Sequence, residues 1–455
     1  MKITVVGAGE TGEKIISGLC NEGHDVTVMD TDSEQLEDIG NIYDVFPIEG
    51  NGTNIEDLET AGIEECDLFI AVTDSDEINM ISCFLARQQG AKNTFARIRS
   101  HEYSGRSLGF LTSRLGINMN LNPEYESADD IFNIIQFPSA FKIETFSHRV
   151  FRMVDVKLRS DSPLDGMKIA DLKRNSKYNF LICTVQRGNS ICIPNGDYEL
   201  KAGDKIGIAG TQSELFGLLK SLHLLRKEIK NVMILGAGIT TFYLAKAITT
   251  QTKCDVTVIE KNHEKCEKLS KAIKDISVIC GDPTDRELLF EEGIQKTDAV
   301  INLLDNDSEN VLMGSYEKSL GIENVIVRVD HRDFSKIAEE IGIDSVISPQ
   351  QTVTDIIIRN ARAVSSTLDV PIERMYSLCD GTVEALEFKV GQDFPLLNVP
   401  IMDMKIRENV LIAGIIRNRN AIVPSGKDVI MSEDRVVVIA SGMRLSQLSD
   451  ILKRG

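Results

Sequence analysis

The chain has 455 residues, which is enough for three or four domains, and its apolar fraction of 42% is ordinary for a globular protein. Its formal net charge of −19 argues against a nucleic-acid partner and against an intrinsic affinity for anionic lipid, because both would require a basic face. No apolar run approaches the roughly 20 residues of a membrane-spanning helix, and the strand pattern at the N-terminus leaves no room for a signal peptide.

From the N-terminus, short β-branched runs alternate with helical segments. The runs ITVVG, VTVMD, LFIAV and TFARI are separated by stretches such as GEKIISGLCNEG at 12–23. This alternation predicts parallel βαβ units with helices on both faces of a sheet. Further along, RMVDVKL and then PNGDYELKAGDKIGI, with its internal turn residues, predict a small α+β module. Residues 213–230 have helical spacing and are predicted to link this module to the next segment.

The second half of the chain repeats this order. Aligning Gly7 with Gly236 brings CDLFIAVTDSDEIN at 66–79 onto TDAVINLLDNDSEN at 297–310. A repeat of about half the chain indicates duplicated domains. The predicted fold class is therefore α/β, with Rossmann-like parallel-sheet domains at 1–140 and 229–369, each followed by a small α+β domain at 141–228 and 370–455.

The first copy carries a glycine motif at the start of its first helix. Gly7 permits a tight turn, Gly9 permits the backbone to approach a pyrophosphate, and Gly12 permits close helix–strand packing. The phosphates would lie at the positive end of the helix dipole. Asp30 ends the second strand, where its carboxylate can accept both ribose hydroxyls and would repel a 2′-phosphate. The motif predicts a dinucleotide or adenine-nucleotide site that favours NAD(H) over NADP(H).

The second copy departs from this motif at one position. Gly236 and Gly238 are present, but Thr241 stands where the third glycine is expected, and the acid is Glu260. Thr241 is expected to push the helix slightly away from the strand without removing the phosphate-facing amides. Two interpretations stay open, a second site of altered affinity or ligand preference and a purely structural relic.

Polar residues follow the fourth strand in each copy, at the carboxyl edge where doubly wound folds bind ligands. Thr73–Asp74 and Leu304–Asp305 are candidates for lining the nucleotide there. The alternative is structural, with Asp76 and Asp307 acting as helix N-caps.

Arg97 and Arg328 end the fifth strands of the two copies. Each guanidinium could reach phosphates, and the alternative is an ion pair across a dimer interface.

A hydride-transfer enzyme needs a proton donor or acceptor and a substrate pocket in addition to its cofactor. The six histidines are expected to be solvated surface residues, and the chain has no Tyr-xxx-Lys pair and no nucleophile elbow. The nine cysteines include no CxxC pair, which indicates reduced thiols in a cytoplasmic protein, mostly in the core. No catalytic residue and no metal site are predicted. The chain is interpreted as a nucleotide sensor, with an NAD-dependent oxidoreductase as the alternative.

Several segments together resemble the RCK/KTN regulators of potassium transport, namely GAGETG with Asp30, AVTDSDEINM, ARIRSHEY, ISPQQTVTD and PNGDYELKAGDKI. The resemblance covers essentially the whole chain and implies two RCK-N Rossmann domains, each followed by an RCK-C domain. It implies that NAD(H) binds and that ATP or ADP competes for the same sites. It also implies a ring-like homo-oligomer, dimer or tetramer, that gates a TrkH/TrkG-type potassium uptake transporter from the cytoplasmic face of the membrane.

A regulator of a potassium channel or of an efflux antiporter is the alternative within this resemblance. The glycine motif and the resemblance together give one set of expected nucleotide-binding residues. These are Gly7, Ala8, Gly9, Glu10, Thr11, Gly12, Asp30, Thr53, Thr73, Asp74 and Arg97 in the first copy, and Gly236, Ala237, Gly238, Ile239, Thr240, Glu260 and Asp305 in the second.

Overall fold

The computed structural model describes most of the chain. The described residues are 1–103, 105–138, 142–147, 150–159, 162–188, 190–222, 224, 229–343, 345–365, 372–379 and 381–453. The chain forms two compact units, one of Met1–Ile131 with Asn231–Ala361 and one of Phe132–Lys230 with Arg362–Gly455. The predicted boundaries at 140/141, 228/229 and 369/370 fall on or beside residues outside the described ranges, so they stay predictions.

The first sheet has six strands, and every neighbouring pair is parallel. The strands are β1 (Lys2–Val6), β2 (Asp25–Asp30), β3 (Phe46–Glu49), β4 (Leu68–Ala71), β5 (Thr94–Arg97) and β6 (Met119–Leu121). The helices are α1 (Glu10–Asn21), α2 (Ser33–Ile42), α3 (Ile55–Thr60), α4 (Asp76–Gln88), α5 (Arg106–Leu115) and α6 (Pro123–Gln136). The order β3-β2-β1-β4-β5-β6 places the switch point between β1 and β4, where a doubly wound sheet opens a crevice for ligands.

The segment after α6 folds into a five-stranded antiparallel sheet with the order β10-β9-β11-β8-β7. Its elements are β7 (Lys142–Phe146), β8 (Phe151–Lys157), α7 (Ile169–Asn175), β9 (Leu181–Arg187), β10 (Ser190–Cys192), β11 (Lys205–Gly210) and α8 (Gln212–Ser221). Helix α8 ends nine residues before the predicted helix at 213–230 does. Its C-cap is Leu222, and residues 223 and 225–228 lie outside the described ranges.

The second Rossmann sheet repeats the first, with the order β14-β13-β12-β15-β16-β17 and parallel neighbours throughout. Its strands are β12 (Asn231–Leu235), β13 (Asp255–Glu260), β14 (Ser277–Cys280), β15 (Ala299–Asn302), β16 (Asn324–Arg328) and β17 (Ser345–Ile347). Its helices are α9 (Ile239–Gln251), α10 (His263–Ala272), α11 (Arg286–Glu291), α12 (Asp307–Ser319), α13 (Arg332–Glu340) and α14 (Pro349–Ser365).

The last sheet is again antiparallel and has the order β18-β19-β22-β20-β21. Its strands are β18 (Ile372–Leu378), β19 (Val383–Lys389), β20 (Val410–Arg417), β21 (Asn420–Ile422) and β22 (Arg435–Ser441). Read from the other edge, this is the strand order of the first antiparallel sheet. The predicted fold class, two Rossmann-like domains each followed by a small α+β domain, is confirmed.

The core beneath the first Rossmann sheet is completed by a helix from the other half of the chain. Val353, Ile357 and Ala361 of α14 are fully buried in the same hydrophobic cluster as Ile15 of α1 and Val5 of β1. A β-carbon on Gly18 of α1 would lie 2.9 Å from side-chain atoms of Thr354 and Ile358, so the two helices are in close contact. The two Rossmann domains therefore share a core.

The two Rossmann domains also exchange equivalent hydrogen bonds. Lys14 Nζ on α1 donates to the backbone oxygen of Asp330, two residues beyond β16. The counterpart of Lys14 in the repeat is Tyr243 on α9, whose hydroxyl donates to the backbone oxygen of Arg99 at 3.0 Å, two residues beyond β5. Each nucleotide-motif helix thus contacts the sheet edge of the other copy.

Candidate nucleotide sites

The turn between β1 and α1 requires glycine at its first position. Gly7 has φ 110°, in the region that favours glycine, and its amide donates to the oxygen of Met29 at 2.9 Å. A β-carbon on Gly7 would lie 2.9 Å from the backbone carbon of Val72. Gly236 repeats this geometry with φ 101° and a hydrogen bond from its amide to the oxygen of Ile259 at 2.9 Å.

The second glycine of each motif is not required by the packing of the protein itself. Gly9 is the N-cap of α1 and has φ −66°, which any residue can adopt, and a β-carbon there would meet nothing within 4 Å. Gly238, the N-cap of α9, is equally open. Because neither residue has a side chain to cap its helix, the first-turn amides face open space. This is the geometry that an approaching phosphate group needs.

The third glycine is required by packing in the first copy. A β-carbon on Gly12 would lie 1.9 Å from the backbone oxygen of Gly7, which no side chain can tolerate. In the second copy Thr241 is fully buried at this position, and its hydroxyl donates to the oxygen of Gly236 at 2.7 Å. Thr241 therefore satisfies the same carbonyl by a hydrogen bond and leaves the turn at Gly236 intact.

The acid of each copy is fixed by two backbone amides. Asp30 accepts from the amide of Ala8 at 2.6 Å and from that of Asp32 at 3.0 Å. Glu260 accepts from Ala237 at 2.8 Å and from Asn262 at 2.7 Å. The structure therefore brings each acid onto its own glycine turn, and the remaining lone pairs of the carboxylate are free to accept ribose hydroxyls.

The loop after the fourth strand is held by an asparagine that the sequence analysis did not single out. Asn79 is fully buried, accepts from the amide and the hydroxyl of Thr73, and donates to the oxygens of Thr73 and Arg97. Asn310 makes the same backbone hydrogen bonds in the second copy, accepting from the amide of Leu304 and donating to the oxygens of Leu304 and Arg328. The repeated Asp-x-x-Asn spacing in both copies was the signal that could have identified these residues.

The N-cap alternative for Asp76 and Asp307 is wrong. Ser75 and Asn306 cap helices α4 and α12, and the two aspartates are the first helical residues. Asp76 accepts from the amides of Arg99 and Ser100 at 2.9 and 2.8 Å, so it ties the start of α4 to the loop beyond β5.

Asp307 ties the start of α12 to the loop beyond β16 in the same way. It accepts from the amides of Asp330 and His331 at 3.0 and 2.8 Å. The His331 ring nitrogen Nδ1 also lies 2.9 Å from the Asp307 carboxylate, and this hydrogen bond raises the pKa of His331. The His331 side chain is 62% exposed, in agreement with the expectation that the histidines are solvated surface residues.

Arg97 lies at the sheet edge in a largely buried position. Its Nη2 atom lies 3.3 Å from Glu124 Oε1, and its Nη1 atom lies 3.9 Å from Asp74 Oδ1. Its side chain is 11% exposed. Burial lowers the pKa of Arg97. Its Nε and the Glu124 Oε2 are buried and have no hydrogen-bond partner among the described residues. This unused capacity fits a polar ligand, and Glu124 is a residue that the sequence analysis missed.

The remaining candidate residues differ in exposure and in whether their side chains already form a hydrogen bond or ion pair within the protein. The hydroxyl of Thr53 donates to Asn51 Oδ1 at 2.8 Å, and that of Thr73 is committed to Asn79. Asp74 is fully exposed, and Asp305 is exposed and lies 3.5 Å from Lys265. In the second copy the guanidinium of Arg328 forms an ion pair with Asp330, two residues further along the chain, at 2.9 Å.

Four predicted residues lie in the first turns of the two motif helices. Glu10 accepts a hydrogen bond at 3.1 Å from Gln350 of α14, within the unit that the two Rossmann domains form. Thr11 and its counterpart Thr240 are buried, and Ile239 is 39% exposed. Whether these residues contact a nucleotide stays a prediction.

The part of the chain that the structure describes shows neither a membrane-spanning helix nor a metal cluster. Across the described residues, no helix combines the length and the apolarity that crossing a membrane requires. The same ranges contain no cluster of three or more His, Cys, Asp or Glu side chains arranged to hold a metal ion.

Comparison with known domain families matches both parts of each copy. The TrkA-N domain matches residues 3–123 and 232–349, and the TrkA-C domain matches residues 153–222 and 385–453. The chain belongs to the TrkA family. The predicted resemblance to RCK/KTN regulators is confirmed.

Relatives in the TrkA family match along the full chain. The Trk system potassium uptake protein TrkA homolog of Archaeoglobus fulgidus is 31% identical over 453 residues, which is 100% of both chains. The Trk system potassium uptake protein TrkA of Vibrio alginolyticus is 28% identical and covers 96% of this chain and 95% of its own. TrkA proteins are potassium uptake components and not enzymes, which confirms the prediction that this chain is not an enzyme.

Solved structures show the same fold at low sequence identity. The GsuK channel bound to NAD has a TM-score of 0.64 and 16% identity, and covers 97% of this chain and 77% of its own. The GsuK channel bound to ADP has a TM-score of 0.52 and 13% identity, and covers 80% of this chain and 69% of its own. These similarities show that the chain shares its fold with GsuK.

Proposed function

We propose that this TrkA-family chain is a nucleotide-sensing regulatory subunit that binds NAD(H) at both Rossmann domains and gates a potassium uptake transporter. The observation that carries the proposal is the repeated association of an uncapped glycine turn with an acid. In both copies the carboxylate of the acid is held on the residue after the first glycine, at 2.6 Å from Ala8 N and 2.8 Å from Ala237 N. The cradle is repeated, and the sequence predicts no catalytic residue beside either copy, which favours sensing over catalysis.

The residues present fit a dinucleotide. Gly9 and Gly238 leave the space in front of the helix amides open, and the negative end of each site, at Asp30 or Glu260, lies where ribose hydroxyls would donate. When bound, the dinucleotide supplies the diphosphate charge that the helix N-terminus stabilises. A 2′-phosphate would meet a carboxylate, so we infer a preference for NAD(H) over NADP(H).

We propose that ATP and ADP compete for the same sites. The glycine turn and the first-turn amides recognise a diphosphate, which NAD and both adenine nucleotides have in common. The fold similarity to a channel bound to NAD and to the same channel bound to ADP supports this shared use of one fold.

We propose that the membrane partner is a TrkH/TrkG-type potassium-translocating subunit and that the chain acts from its cytoplasmic side as a ring-like homo-oligomer. The names of the relatives support the transport system. The net charge of −19 gives the chain no electrostatic attraction to anionic lipid, so a protein partner would have to hold it at the membrane.

Duplication also has an energetic rationale. One ligand at one site typically supplies about 1–3 kcal/mol of coupling. Moving a gate from mostly closed to mostly open takes about 5.5 kcal/mol of differential affinity. Several sites acting together on one oligomer can reach that value, whereas a single site cannot.

The experiment compares two acid-to-alanine variants with matched controls on the same strands. Asp30→Ala and Glu260→Ala each remove the acid at the carboxyl end of β2 or β13. Asp25→Ala and Asp255→Ala remove an exposed acid at the opposite end of the same strand. Since the chain has no tryptophan, NADH binding is measured by isothermal titration calorimetry.

Each acid variant is expected to lose about 10- to 100-fold in affinity at its own site, because a hydrogen bond to a charged group contributes about 1.5–3 kcal/mol. The two controls are expected to bind as the unmodified chain does. Potassium uptake into vesicles containing the membrane subunit, with and without NADH, reports regulation. If Asp30→Ala and Glu260→Ala together abolished NADH binding yet left regulated uptake unchanged, the link between nucleotide and gate would be refuted.

A further inference from the structure

The two nucleotide sites differ in the residues that adjoin the acid, Asp30 or Glu260. In the first copy Leu36 of α2 and Glu49 at the end of β3 occupy the positions next to Asp30, and Glu49 is the register partner of Asp30. The corresponding residues of the second copy are Cys266 of α10 and Cys280 at the end of β14. Cys280 is the register partner of Glu260. A pair of thiols is therefore present at one site and absent at the other.

Both thiols are free, and both residues adjoin Glu260, Cys266 through its thiol and Cys280 as the register partner in β14. Cys266 is buried, whereas Cys280 is exposed, which departs from the expectation that the cysteines lie mostly in the core. Burial and the adjacent Cys280 thiol raise the pKa of Cys266 to about 11. The exposed thiol is thus the one that a dissolved oxidant reaches first, and the buried thiol is positioned to resolve the product.

The Cys266 thiol and the backbone next to Cys280 both contact Glu260. The Cys266 thiol donates to the backbone oxygen of Glu260 at 3.2 Å, and the amide of Gly281, next to Cys280, donates to the same oxygen at 3.0 Å. The carboxylate of Glu260 is held from the other side by the amide of Asn262, the N-cap of α10. The position of α10 against β14 therefore determines how the Glu260 carboxylate is presented.

We propose that Cys266 and Cys280 are a redox-sensitive pair that hydrogen peroxide converts to a disulfide, and that this cross-link lowers the nucleotide affinity of the second site while leaving the first site unchanged. The part concerning affinity rests on the proposed nucleotide binding, whereas the cross-link itself does not.

The chemistry balances with peroxide as the two-electron oxidant. The Cys280 sulfur attacks one oxygen of hydrogen peroxide, the O–O bond breaks, and the products are a sulfenic acid on Cys280 and one water. The Cys266 sulfur then attacks the Cys280 sulfur, the S–O bond breaks, and the hydroxyl leaves with the Cys266 proton as a second water. Two thiols are oxidised to one disulfide, and one peroxide is reduced to two waters.

The cross-link removes the hydrogen bond from Cys266 to the oxygen of Glu260, because the disulfide sulfur has no proton to donate. It also ties α10 to β14 and so moves the first turn of α10, which supplies one of the two amides that hold the carboxylate. We expect the affinity of the second site for NADH to fall about fivefold or more. Leu36 and Glu49 cannot react in this way, so oxidation acts on one copy alone.

The experiment uses the full chain carrying Asp30→Ala, in which the remaining NADH binding reports the second site, and the full chain carrying Glu260→Ala, in which it reports the first site. The protein is treated with a small excess of hydrogen peroxide, free thiols are blocked with iodoacetamide, and the protein is digested with trypsin. Cleavage at lysine and arginine releases Cys266 in peptide 266–268 and Cys280 in peptide 275–286. The expected product is these two peptides joined, with a mass two hydrogens below their sum.

NADH affinity is measured before and after oxidation and again after reduction with dithiothreitol. The expected result is a fivefold or greater loss that dithiothreitol reverses. Cys280→Ser serves as the non-reacting variant, and its affinity is expected to be unaffected by peroxide. Cys192→Ser, which removes a half-buried thiol of the other compact unit, is the matched control and is expected to respond as the parent chain does.

Four results would overturn the proposal. One is the absence of the joined peptides, including the case in which Cys280 is found only as sulfinic or sulfonic acid. A second is cross-linking with unchanged NADH affinity, and a third is an equal loss of affinity in Cys280→Ser. The fourth is a reduced second site that binds no NADH while the first site binds it. Failure of both reduced sites to bind any nucleotide would instead refute the proposed function.

Discussion

The hydroxyl of Thr241 donates a hydrogen bond to the backbone oxygen of Gly236 at 2.7 Å, inside the turn that opens the second Rossmann domain. The corresponding carbonyl in the first domain is that of Gly7. Helix α1 lies so close to it that a β-carbon on Gly12 would be 1.9 Å from its oxygen. The two copies therefore reach one turn geometry by two different contacts. The missing third glycine is compensated within the protein, and the amides in front of the helix are preserved.

The first prediction concerns Gly12→Ala. Its β-carbon would lie 1.9 Å from the oxygen of Gly7, so α1 must move away from β1. We expect a loss of about 1–3 kcal/mol in the free energy of unfolding, as for other overpacked sites. Urea unfolding followed by circular dichroism measures it, and an unchanged midpoint would contradict the geometry described here.

The second prediction concerns Gly9→Ala, which should hinder the approach of a ligand without disturbing the packing of the protein. The β-carbon at this position meets nothing within 4 Å, and the backbone of Gly9 is extended, so the free energy of unfolding should stay within about 1 kcal/mol of that of the unmodified chain. The methyl group would occupy the space in front of the helix amides. We expect NADH affinity at the first site to fall about tenfold by calorimetry. Wild-type affinity in this variant would show that no phosphate approaches Gly9.

The third prediction concerns the buried asparagines. Asn79→Ala leaves the amide of Thr73 and two backbone oxygens without their hydrogen bonds in a buried loop. We expect a loss of about 2–4 kcal/mol in the free energy of unfolding, and a similar loss for Asn310→Ala, because each unpaired buried group costs about 1–3 kcal/mol. Chemical denaturation measures both variants. Asn41→Ala, at an exposed position of α2, is the matched control and should be nearly neutral.

The fourth prediction concerns pH. Glu317 is fully buried in the second Rossmann domain, and Asn302 Nδ2 donates to it at 2.8 Å. Burial raises the pKa of Glu317 from 4.5 to about 8. Between these two values the folded state keeps the proton and the unfolded state releases it, so the free energy of unfolding falls as pH rises. From pH 6 to 8 the fall is about 2 kcal/mol, since one pKa unit corresponds to about 1.4 kcal/mol and the folded-state carboxyl itself begins to ionise near pH 8.

Glu317→Gln keeps the size of the side chain and removes the titration. We expect this variant to lose the fall in the free energy of unfolding between pH 6 and 8, as measured by urea unfolding at several pH values. Glu323→Gln, at an exposed position of the same Rossmann domain, should retain the wild-type slope. Identical slopes for the unmodified chain and Glu317→Gln would show that Glu317 is ionised in the folded protein.

The fifth prediction tests the shared core. Ile357 of α14 is fully buried against the first Rossmann sheet, so Ile357→Ala should lower the free energy of unfolding by about 2–5 kcal/mol. Hydrogen–deuterium exchange should show faster exchange in α1, more than 300 residues earlier in the sequence. Ile341→Ala, at a position that is 40% exposed, is the control and should leave α1 protected. Unchanged protection of α1 in Ile357→Ala would argue against the shared core.

The architecture could be predicted because the second half of the sequence repeats the first. The repeat, the period of the hydrophobic residues and the position of the glycines are local properties of the sequence, and they identified both parallel sheets and the small α+β domain that follows each of them. The glycine turns and the acids at Asp30 and Glu260 follow from the same local pattern. The structure brings each of these acids onto its own turn.

Other features depend on contacts that no local pattern encodes. Asn79 and Asn310 are polar residues at buried positions, so composition alone favoured an exposed location for them. The packing of α14 against α1 joins residues far apart in the sequence. Glu317 and Asn302 are in contact where the first copy has Ala86 and Ala71, so the repeat offered no second example from which to predict the pair.

The position of α14 has a consequence for how the chain is made. A ribosome that has synthesised the whole first Rossmann sequence has not yet synthesised the helix that covers Ile15 and Val5. Until about residue 365 has left the exit tunnel, the nascent first domain must keep an apolar surface uncovered. We therefore expect this arrangement to increase the need for chaperones during synthesis rather than to change the stability of the finished protein.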